Sequence, residues 1–182
     1  QSKQDILCYG NSTGQLVINA SGGTLPYSYK LSTQSSYSSD NTLSNLRAGQ
    51  YSIQVQDSHQ CITTMQAELL EASDIVITVT QKQDILCNGA LTGQLSIQAA
   101  GGNGGYTYSQ EGTNYQSNNI FSGLKAGAYS IFVKDLTGCV KALQSSATTL
   151  VEPSALEMNF QSTAVKCKGE ATGSFTANAS GG

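Results

Sequence analysis

Five cysteines are the residues of this 182-residue chain whose type and spacing could do chemistry. Four form two pairs of nearly equal spacing: Cys61 follows Cys8 by 53 positions and Cys139 follows Cys87 by 52. There is no Cys-x-x-Cys and only one histidine, so the spacing does not favour zinc and no metal site is predicted. Two regularly placed thiols in a small, polar module favour disulfides formed in an oxidising compartment. We therefore predict disulfides for these four residues, with inert buried thiols as the alternative.

Two pairings are open. Bonds within each pair, Cys8–Cys61 and Cys87–Cys139, are the first choice because each would close a loop of about 53 residues and stabilise the fold by roughly 4 kcal/mol. In an immunoglobulin-type topology the first turn and the last hairpin lie at opposite ends, and a Cys8–Cys139 bond would then be possible. Under the first pairing, Cys167 is predicted to be unpaired.

Two aspartates, Asp57 and Asp135, each stand four residues before the second cysteine of a pair. Such a carboxylate can close a hairpin by accepting backbone N–H bonds, or it can bind calcium at a turn or junction. The turn role is favoured. Gly49 and Gly127, each in an Ala-Gly dipeptide before a tyrosine strand, are predicted to form a second recurring structural turn.

Tyrosines recur at alternate positions, as Tyr27 with Tyr29 and Tyr106 with Tyr108. They could form an aromatic platform for a glycan, but i, i+2 tyrosines more often lie on the core face of one strand. Tyr51 and its counterpart in the second copy are similar to the tyrosine corner of β-sandwich domains, which is a structural device.

Catalysis is not predicted. A single histidine excludes a His-based triad repeated in each copy, and the glycine-rich stretch 101–105 lacks the lysine and helix of a phosphate-binding loop. The net charge of −3 with scattered basic residues gives no footprint for nucleic acid. No apolar run reaches the length of a membrane span. We predict a non-enzymatic segment without cofactors.

A repeat of about 80 residues must position these groups. Residues 3–23 and 82–102 share 15 of 21 positions, and the skeleton returns from Cys167 to Gly182. We predict module 1 at residues 1–73 with its first strand partly missing, module 2 at 74–154, and the N-terminal part of module 3 at 155–182. We expect both ends to lie within a longer polypeptide.

The repeat alternates apolar and polar residues with a period of two, as in Leu16 and Ile18 or Ile53 and Val55. Such alternation is typical of half-buried strands, and turn residues occur every 8–12 positions. We predict an all-β protein of tandem immunoglobulin-like β-sandwich repeats, with these apolar side chains and their counterparts in the core.

The pattern Cys-x-Gly-x-x-x-Gly, then Gly-Gly, Tyr-x-Tyr and Leu-x-Ala-Gly-x-Tyr-Ser-Ile-x-Val-x-Asp before Cys, closely resembles the SprB-type repeat of gliding-motility adhesins. The junction at residues 152–156 is similar too. The chain departs from the family pattern in lacking the tryptophan common after Tyr-x-Tyr and in carrying Gln60 in place of a glycine.

The resemblance implies a very large, filamentous adhesin, secreted to the surface of gliding diderm bacteria by the type IX secretion system. It further implies an extracellular surface or polysaccharide as ligand, and components of the gliding and secretion machinery as partners. A spacer or glycan-binding module of another large secreted protein is the alternative.

Overall fold

The structure is a computed structural model that describes residues 2–182, and nearly all of its regular elements are β-strands. Six strands belong to the first repeat. They are β1 (Ser2–Gln4), β2 (Gly14–Val17), β3 (Ser28–Leu31), β4 (Thr42–Leu46), β5 (Gly49–Gln56) and β6 (Ile62–Leu69). They form two three-stranded antiparallel sheets, in the orders β1-β2-β4 and β3-β5-β6.

One hydrophobic core lies between these two sheets, because alternate residues of each strand point inward. One sheet contributes the buried side chains of Leu16 (β2) and Leu43 (β4) to this core. The other sheet contributes those of Ile53 (β5) and Leu69 (β6). Two sheets around a common core are a β-sandwich. The all-β, immunoglobulin-like sandwich predicted from the sequence is confirmed.

The second repeat has the same order of strands, but the counterparts of β5 and β6 are each interrupted. Its strands are β7 (Val76–Gln83), β8 (Gly93–Ala100), β9 (Thr107–Ser109), β10 (Ile120–Leu124), β11 (Gly127–Ala128), β12 (Ile131–Lys134), β13 (Val140–Leu143) and β14 (Thr149–Leu150). A 3₁₀ turn, Ser146–Thr148, precedes β14. Sheets form in the orders β7-β8-β10, β9-β12-β13 and β11-β14.

Of the ten core positions predicted from alternation, which include Tyr51 and Tyr129, eight are buried, four in each repeat. The fully or nearly fully buried members are Leu16, Ile18, Ile53, Val55, Leu95, Ile97, Ile131 and Val133. Tyr51 and Tyr129 are half-buried, since each directs its hydroxyl to the backbone at the edge of the core.

A glycine in β2 and its counterpart in β8 allow close packing at the edge of each core. A Cβ atom on Gly14 would lie 2.8 Å from the carbonyl oxygen of Leu46 and 2.8 Å from Cδ1 of Leu69. A Cβ on Gly93 would lie 2.7 Å from Cδ1 of Leu150. Only a residue without a side chain fits at either position.

The remaining strands, β15 (Glu157–Thr163) and β16 (Ser174–Ser180), form an antiparallel hairpin. All of their residues are exposed. The rings of Phe160 and Phe175 are in contact across the pair, with centroids 5.3 Å apart.

The chain divides into two compact units. The first consists of Gln1–Val76, Ala99–Tyr106 and Lys134–Lys141, and the second of Ile77–Gln98, Thr107–Val133 and Ala142–Gly182. Three short segments of the predicted second repeat, 74–76, 99–106 and 134–141, therefore belong to the first unit. The repeat boundaries at 73/74 and 154/155 stay a prediction. Residues 2–182 contain no helix with the length and apolar character needed to cross a membrane.

Candidate functional site

A disulfide joins Cys8 to Cys139, with the two Cα atoms 5.4 Å apart. These residues are 131 positions apart and belong to consecutive copies of the repeat. Cys61, Cys87 and Cys167 are exposed and not disulfide-bonded. The first-choice pairing within each repeat is therefore wrong for the structure, which has the alternative bond between copies.

The length of the central strands explains why a bond within the first repeat is not formed. Ile6, two residues before Cys8, donates its N–H to the carbonyl oxygen of Leu70, just beyond the end of β6. Cys61 immediately precedes Ile62, at the opposite end of that strand. Eight strand residues extend about 25 Å. A disulfide requires Cα atoms about 4–7 Å apart.

The second repeat separates its two cysteines in the same way. Ile85, two residues before Cys87, donates its N–H to the carbonyl oxygen of Val151, just after β14. Cys139 lies in the hairpin between β12 and β13. Each repeat thus carries one cysteine at each end of its sandwich.

Asp135 shapes the hairpin that presents Cys139. Its Oδ1 accepts N–H bonds from Thr137 and Cys139, both at 2.9 Å, and a bond from the Thr137 hydroxyl at 2.9 Å. The N–H of Asp135 donates to the carbonyl oxygen of Cys139 at 3.0 Å. Gly138 takes a φ of +91°, a value that glycine adopts readily. The carboxylate therefore closes the turn around the cysteine.

Asn103 connects this hairpin to the other half of the cystine. Its N–H and side-chain amide donate to Oδ2 of Asp135 at 2.9 and 3.0 Å. The same amide donates to the carbonyl oxygen of Leu7 at 2.9 Å and to the Thr137 hydroxyl oxygen at 2.8 Å. One side chain thus bonds the backbone next to Cys8 and the turn before Cys139.

Asp135 is 4% exposed, and its environment stabilises the ionised form. Burial alone would raise the pKa of this carboxyl. The hydrogen bonds from Asn103, Cys139 and Thr137 outweigh burial and lower the pKa of Asp135 to about 2. The group is therefore a charged acceptor at neutral pH, with donors on both oxygens.

Asp57 has the same turn role in the first repeat. Its Oδ1 accepts N–H bonds from His59 at 2.9 Å and Cys61 at 3.0 Å, and its Oδ2 accepts one from Thr24 at 3.1 Å. The Thr24 bond, then that of Cys61, holds the pKa of Asp57 below its usual value. Both aspartates thus carry the turn role, with N–H donors on each oxygen. Within residues 2–182, no three His, Cys, Asp or Glu side chains cluster closely enough to bind a metal ion.

A groove of about 260 Å³ lies beside the cystine and is lined in part by the segment 72–75. Lys141 and Asp74 form an ion pair across it, with Nζ and Oδ2 2.7 Å apart. Ile75 is 5% exposed and packs onto Gly102, where a Cβ atom would lie 2.8 Å from Cγ1 of Ile75. The connecting segment is therefore held by an apolar contact and an ion pair beside the covalent bond.

The turn glycines and corner tyrosines have structural positions. Gly49 and Gly127 adopt φ values of +148° and +150° at the starts of β5 and β11. The hydroxyls of Tyr51 and Tyr129 donate to the carbonyl oxygens four residues earlier, at 2.8 and 3.0 Å. These bonds fix the chain where it enters the second sheet.

The alternating tyrosines do not form an exposed platform. Tyr29 and Tyr108 are each 7% exposed and belong to the core face. The hydroxyls of Tyr27 and Tyr106 donate to backbone carbonyl oxygens five residues earlier. The burial of Tyr29 and Tyr108 agrees with the core-strand interpretation.

Sequence reasoning missed the two polar contacts that surround the cystine. Asn103 follows the Gly101-Gly102 pair, where the first repeat has Thr24, and only its position between two glycine pairs distinguishes it. The ion pair of Asp74 with Lys141 joins residues 67 positions apart and has no local signal. The chemistry of this site is a covalent cross-link, supported by a charged turn and an amide.

Comparisons with known proteins agree with the repeat. The SprB repeat profile matches residues 1–36 and 77–114. No curated protein matches the chain. Three N-terminal domains of the highly immunogenic outer capsid protein (Hoc) of bacteriophage RB49 are similar at 14% identity and a TM-score of 0.41, over 98% of this chain and 67% of that one.

A C-terminal 282-residue fragment of intimin, solved in complex with the intimin-binding domain of the translocated intimin receptor, is similar at 15% identity. Its TM-score is 0.41, over 87% of this chain and 67% of that one. The SprB repeat suggests a repeat segment of a large cell-surface protein. The profile match, together with the repeat found in the sequence, supports SprB-type repeats at residues 1–36 and 77–114.

Proposed function

We propose that this chain is a tandem-repeat segment of a very large secreted adhesin, forming part of a filamentous stalk for surface attachment and gliding motility. The observation that carries the proposal is the cystine between Cys8 and Cys139, taken together with the SprB match. A covalent bond between consecutive repeats limits how far a pulled chain can extend. That property suits a protein that transmits force between a cell and a surface.

The segment has no catalytic role in this proposal. The positions that recur between copies are strand apolar residues, turn glycines, cysteines and a hairpin aspartate. The polar residues between them differ, as in Tyr9 against Asn88 or Ser12 against Leu91. A catalytic constellation would need the same polar groups in a fixed geometry.

The partners follow from the family. The repeats are exported by the type IX secretion system to the outer face of a bacterial cell and are carried by components of the gliding machinery. Their ligand is an extracellular surface or a polysaccharide. Support for an extracellular location comes from the cystine, since such bonds persist in oxidising compartments.

Labelling and attachment of intact cells test the proposal. Antibodies against residues 1–182 should label the cells, and a protease added outside should remove the signal. Cells lacking the gene region for these repeats should attach less to glass and to polysaccharide-coated surfaces. Absence of surface label would contradict the proposed location.

The alternative role as a spacer gives a different result. If the repeats only set a distance, replacing them by an unrelated β-sandwich array of equal length should restore attachment fully. If they form the adhesive stalk proposed here, the replacement should leave attachment impaired, and beads coated with the purified chain should bind the same surfaces.

A further inference from the structure

We propose that Cys87 and Cys61 are the two half-sites of further cystines between repeats, so that every repeat is bonded to both of its neighbours. Cys87 forms a disulfide with the hairpin cysteine of a following SprB-type repeat of the same polypeptide. Cys61 forms one with the first-turn cysteine of a preceding repeat. The inference rests on the proposed function in one respect, since it requires that the repeats occur in tandem.

The turn at Cys87 has the same structure as the turn at Cys8, which forms the bond. In each, the N–H three residues after the cysteine donates to the cysteine carbonyl oxygen, at 2.9 Å for Cys87 and 3.2 Å for Cys8. The N–H two residues after the cysteine donates to Oε2 of a glutamate at 2.7 Å. The acceptor is Glu152 in the turn at Cys87 and Glu71 in the turn at Cys8. Cys87 is exposed, with its sulfur unbonded, on a turn that makes the same hydrogen bonds as the turn of Cys8.

The same backbone contact occurs where the second repeat follows the first and where the third follows the second. Gly102 donates its N–H to the carbonyl oxygen of Ser73 at 3.0 Å, and Gly182 donates to that of Ser154 at 3.1 Å. A repeat that begins with β15 and β16 therefore starts on the same backbone contact as the second repeat. Its hairpin cysteine would approach Cys87 as Cys139 approaches Cys8.

The other half-site is a groove of about 440 Å³ beside Cys61, lined in part by Ile18, Val55 and Met65. In the second repeat the corresponding place, beside Gly102 and the hairpin cysteine, is filled by Ile75. The groove therefore fits the apolar residue of a connecting segment that precedes the repeat.

The hairpin at Cys61 is already in the bonding conformation. Asp57 donates its N–H to the carbonyl oxygen of Cys61 at 3.1 Å and accepts from the Cys61 N–H at 3.0 Å. Asp135 makes the same two bonds with Cys139, at 3.0 and 2.9 Å. An exposed thiol on a preformed turn loses little conformational entropy when it forms a bond.

The cystine forms by thiol–disulfide exchange with a small disulfide such as oxidised glutathione. The thiolate of Cys87 attacks the disulfide, forms a mixed disulfide and releases one glutathione thiolate. The thiolate of the partner cysteine then attacks the Cys87 sulfur and releases the second. Two protein thiols are oxidised, one disulfide is reduced to two thiols, and the two protons pass to the glutathione products.

A chain with a complete third repeat tests the inference. Residues 155–182 are replaced by a second copy of residues 74–154, which gives six cysteines, four from residues 1–154 and two from the added copy. After equilibration in a glutathione redox buffer, thiols are counted by alkylation and bonds are mapped by mass spectrometry. We expect two free thiols and a peptide that joins Cys87 to the added hairpin cysteine.

The matched control replaces Cys87 by serine in the same chain and should give three free thiols with the Cys8–Cys139 bond retained. A second chain keeps all 182 residues and adds residues 103–154 after Gly182, so that the natural start of the third repeat is tested too. Four free thiols in each of the two chains, with Cys8–Cys139 intact in both, would overturn the inference. The cell-surface labelling of the proposed function does not depend on this count.

Discussion

The side-chain amide of Asn103 lies 2.9 Å from the carbonyl oxygen of Leu7, the residue before Cys8. The same amide lies 3.0 Å from Oδ2 of Asp135, the residue that closes the turn around Cys139. The two halves of the cystine are therefore aligned by hydrogen bonds as well as joined by sulfur. Hydrogen bonds to a charged acceptor are stronger than those between neutral groups, which suits this positioning role.

Replacing Asn103 by alanine should lower the free energy of unfolding by about 1–3 kcal/mol. The substitution removes the amide bonds to Leu7 and Asp135 and keeps the backbone N–H bond to the carboxylate. Denaturant unfolding of the oxidised chain measures the loss. Thr24→Ala is the matched control, since Thr24 offers Asp57 only its backbone N–H; it should change stability by less than about 0.5 kcal/mol. Equal losses in the two variants would contradict the role given to the amide.

The low pKa of Asp135 predicts a loss of stability in acid. The folded pKa of about 2 is below the ordinary value of 3.8, so the unfolded chain binds the proton more readily. The stabilisation is present above about pH 4 and is lost as the pH falls to about 2; it amounts to at most about 2 kcal/mol. Denaturant unfolding curves at pH 7, 4 and 2 measure this loss of stability.

Asp135→Asn is the test variant for this acid effect. It should be less stable at pH 7 and should lose less between pH 4 and 2 than the parent chain. Asp57→Asn is the matched comparison, and the Asp57 carboxyl, which is less buried than that of Asp135, should contribute less to the pH dependence. A parent and an Asp135→Asn variant with the same acid loss would rule out Asp135 as its source.

Gln60 lies in the left-handed region, with a φ of +67°, at the hairpin position where Gly138 stands in the second repeat. A residue with a side chain in that region destabilises the fold by about 1–2 kcal/mol. Glycine avoids this strain, but its more flexible unfolded state offsets part of the gain. Gln60→Gly should therefore stabilise the chain by up to about 1 kcal/mol. Gly138→Gln should destabilise it by a similar or larger amount. Thermal unfolding of both variants checks the sign, and a destabilising Gln60→Gly would contradict the backbone argument.

Ile53→Ala and Ile131→Ala should each cost about 2–5 kcal/mol, because both side chains are fully buried and leave a cavity when shortened. Ile62, which is 55% exposed at the start of β6, provides the control. Ile62→Ala should change the free energy of unfolding by less than about 0.5 kcal/mol. A small loss at Ile53 together with a large one at Ile62 would mean that the strand register is shifted by one residue.

The sequence predicts the strands and their buried faces well because those depend on local alternation. Ile53 and Val55 alternate with polar neighbours, and their burial follows from the pleat of a strand. Gly49 and Gly127 were likewise readable from turn chemistry. Each of these signals is contained within a few neighbouring positions.

The pairing of the cysteines could not be obtained in the same way. Cys8 and Cys139 are 131 residues apart, and their contact depends on which end of the sandwich each occupies. Spacing favoured the pair Cys8–Cys61 because both cysteines belong to one repeat and their bond would close a stabilising loop, but the length of β5 and β6 holds those residues apart. Topology, rather than loop length, decides the bond.

Disulfide mapping of the oxidised chain addresses the covalent link between repeats most directly. Free thiols are alkylated under denaturing, non-reducing conditions, and the digested peptides are identified by mass spectrometry. The structure predicts one linked pair, Cys8–Cys139, and three alkylated cysteines: Cys61, Cys87 and Cys167. Linked pairs Cys8–Cys61 and Cys87–Cys139, with only Cys167 alkylated, would contradict it.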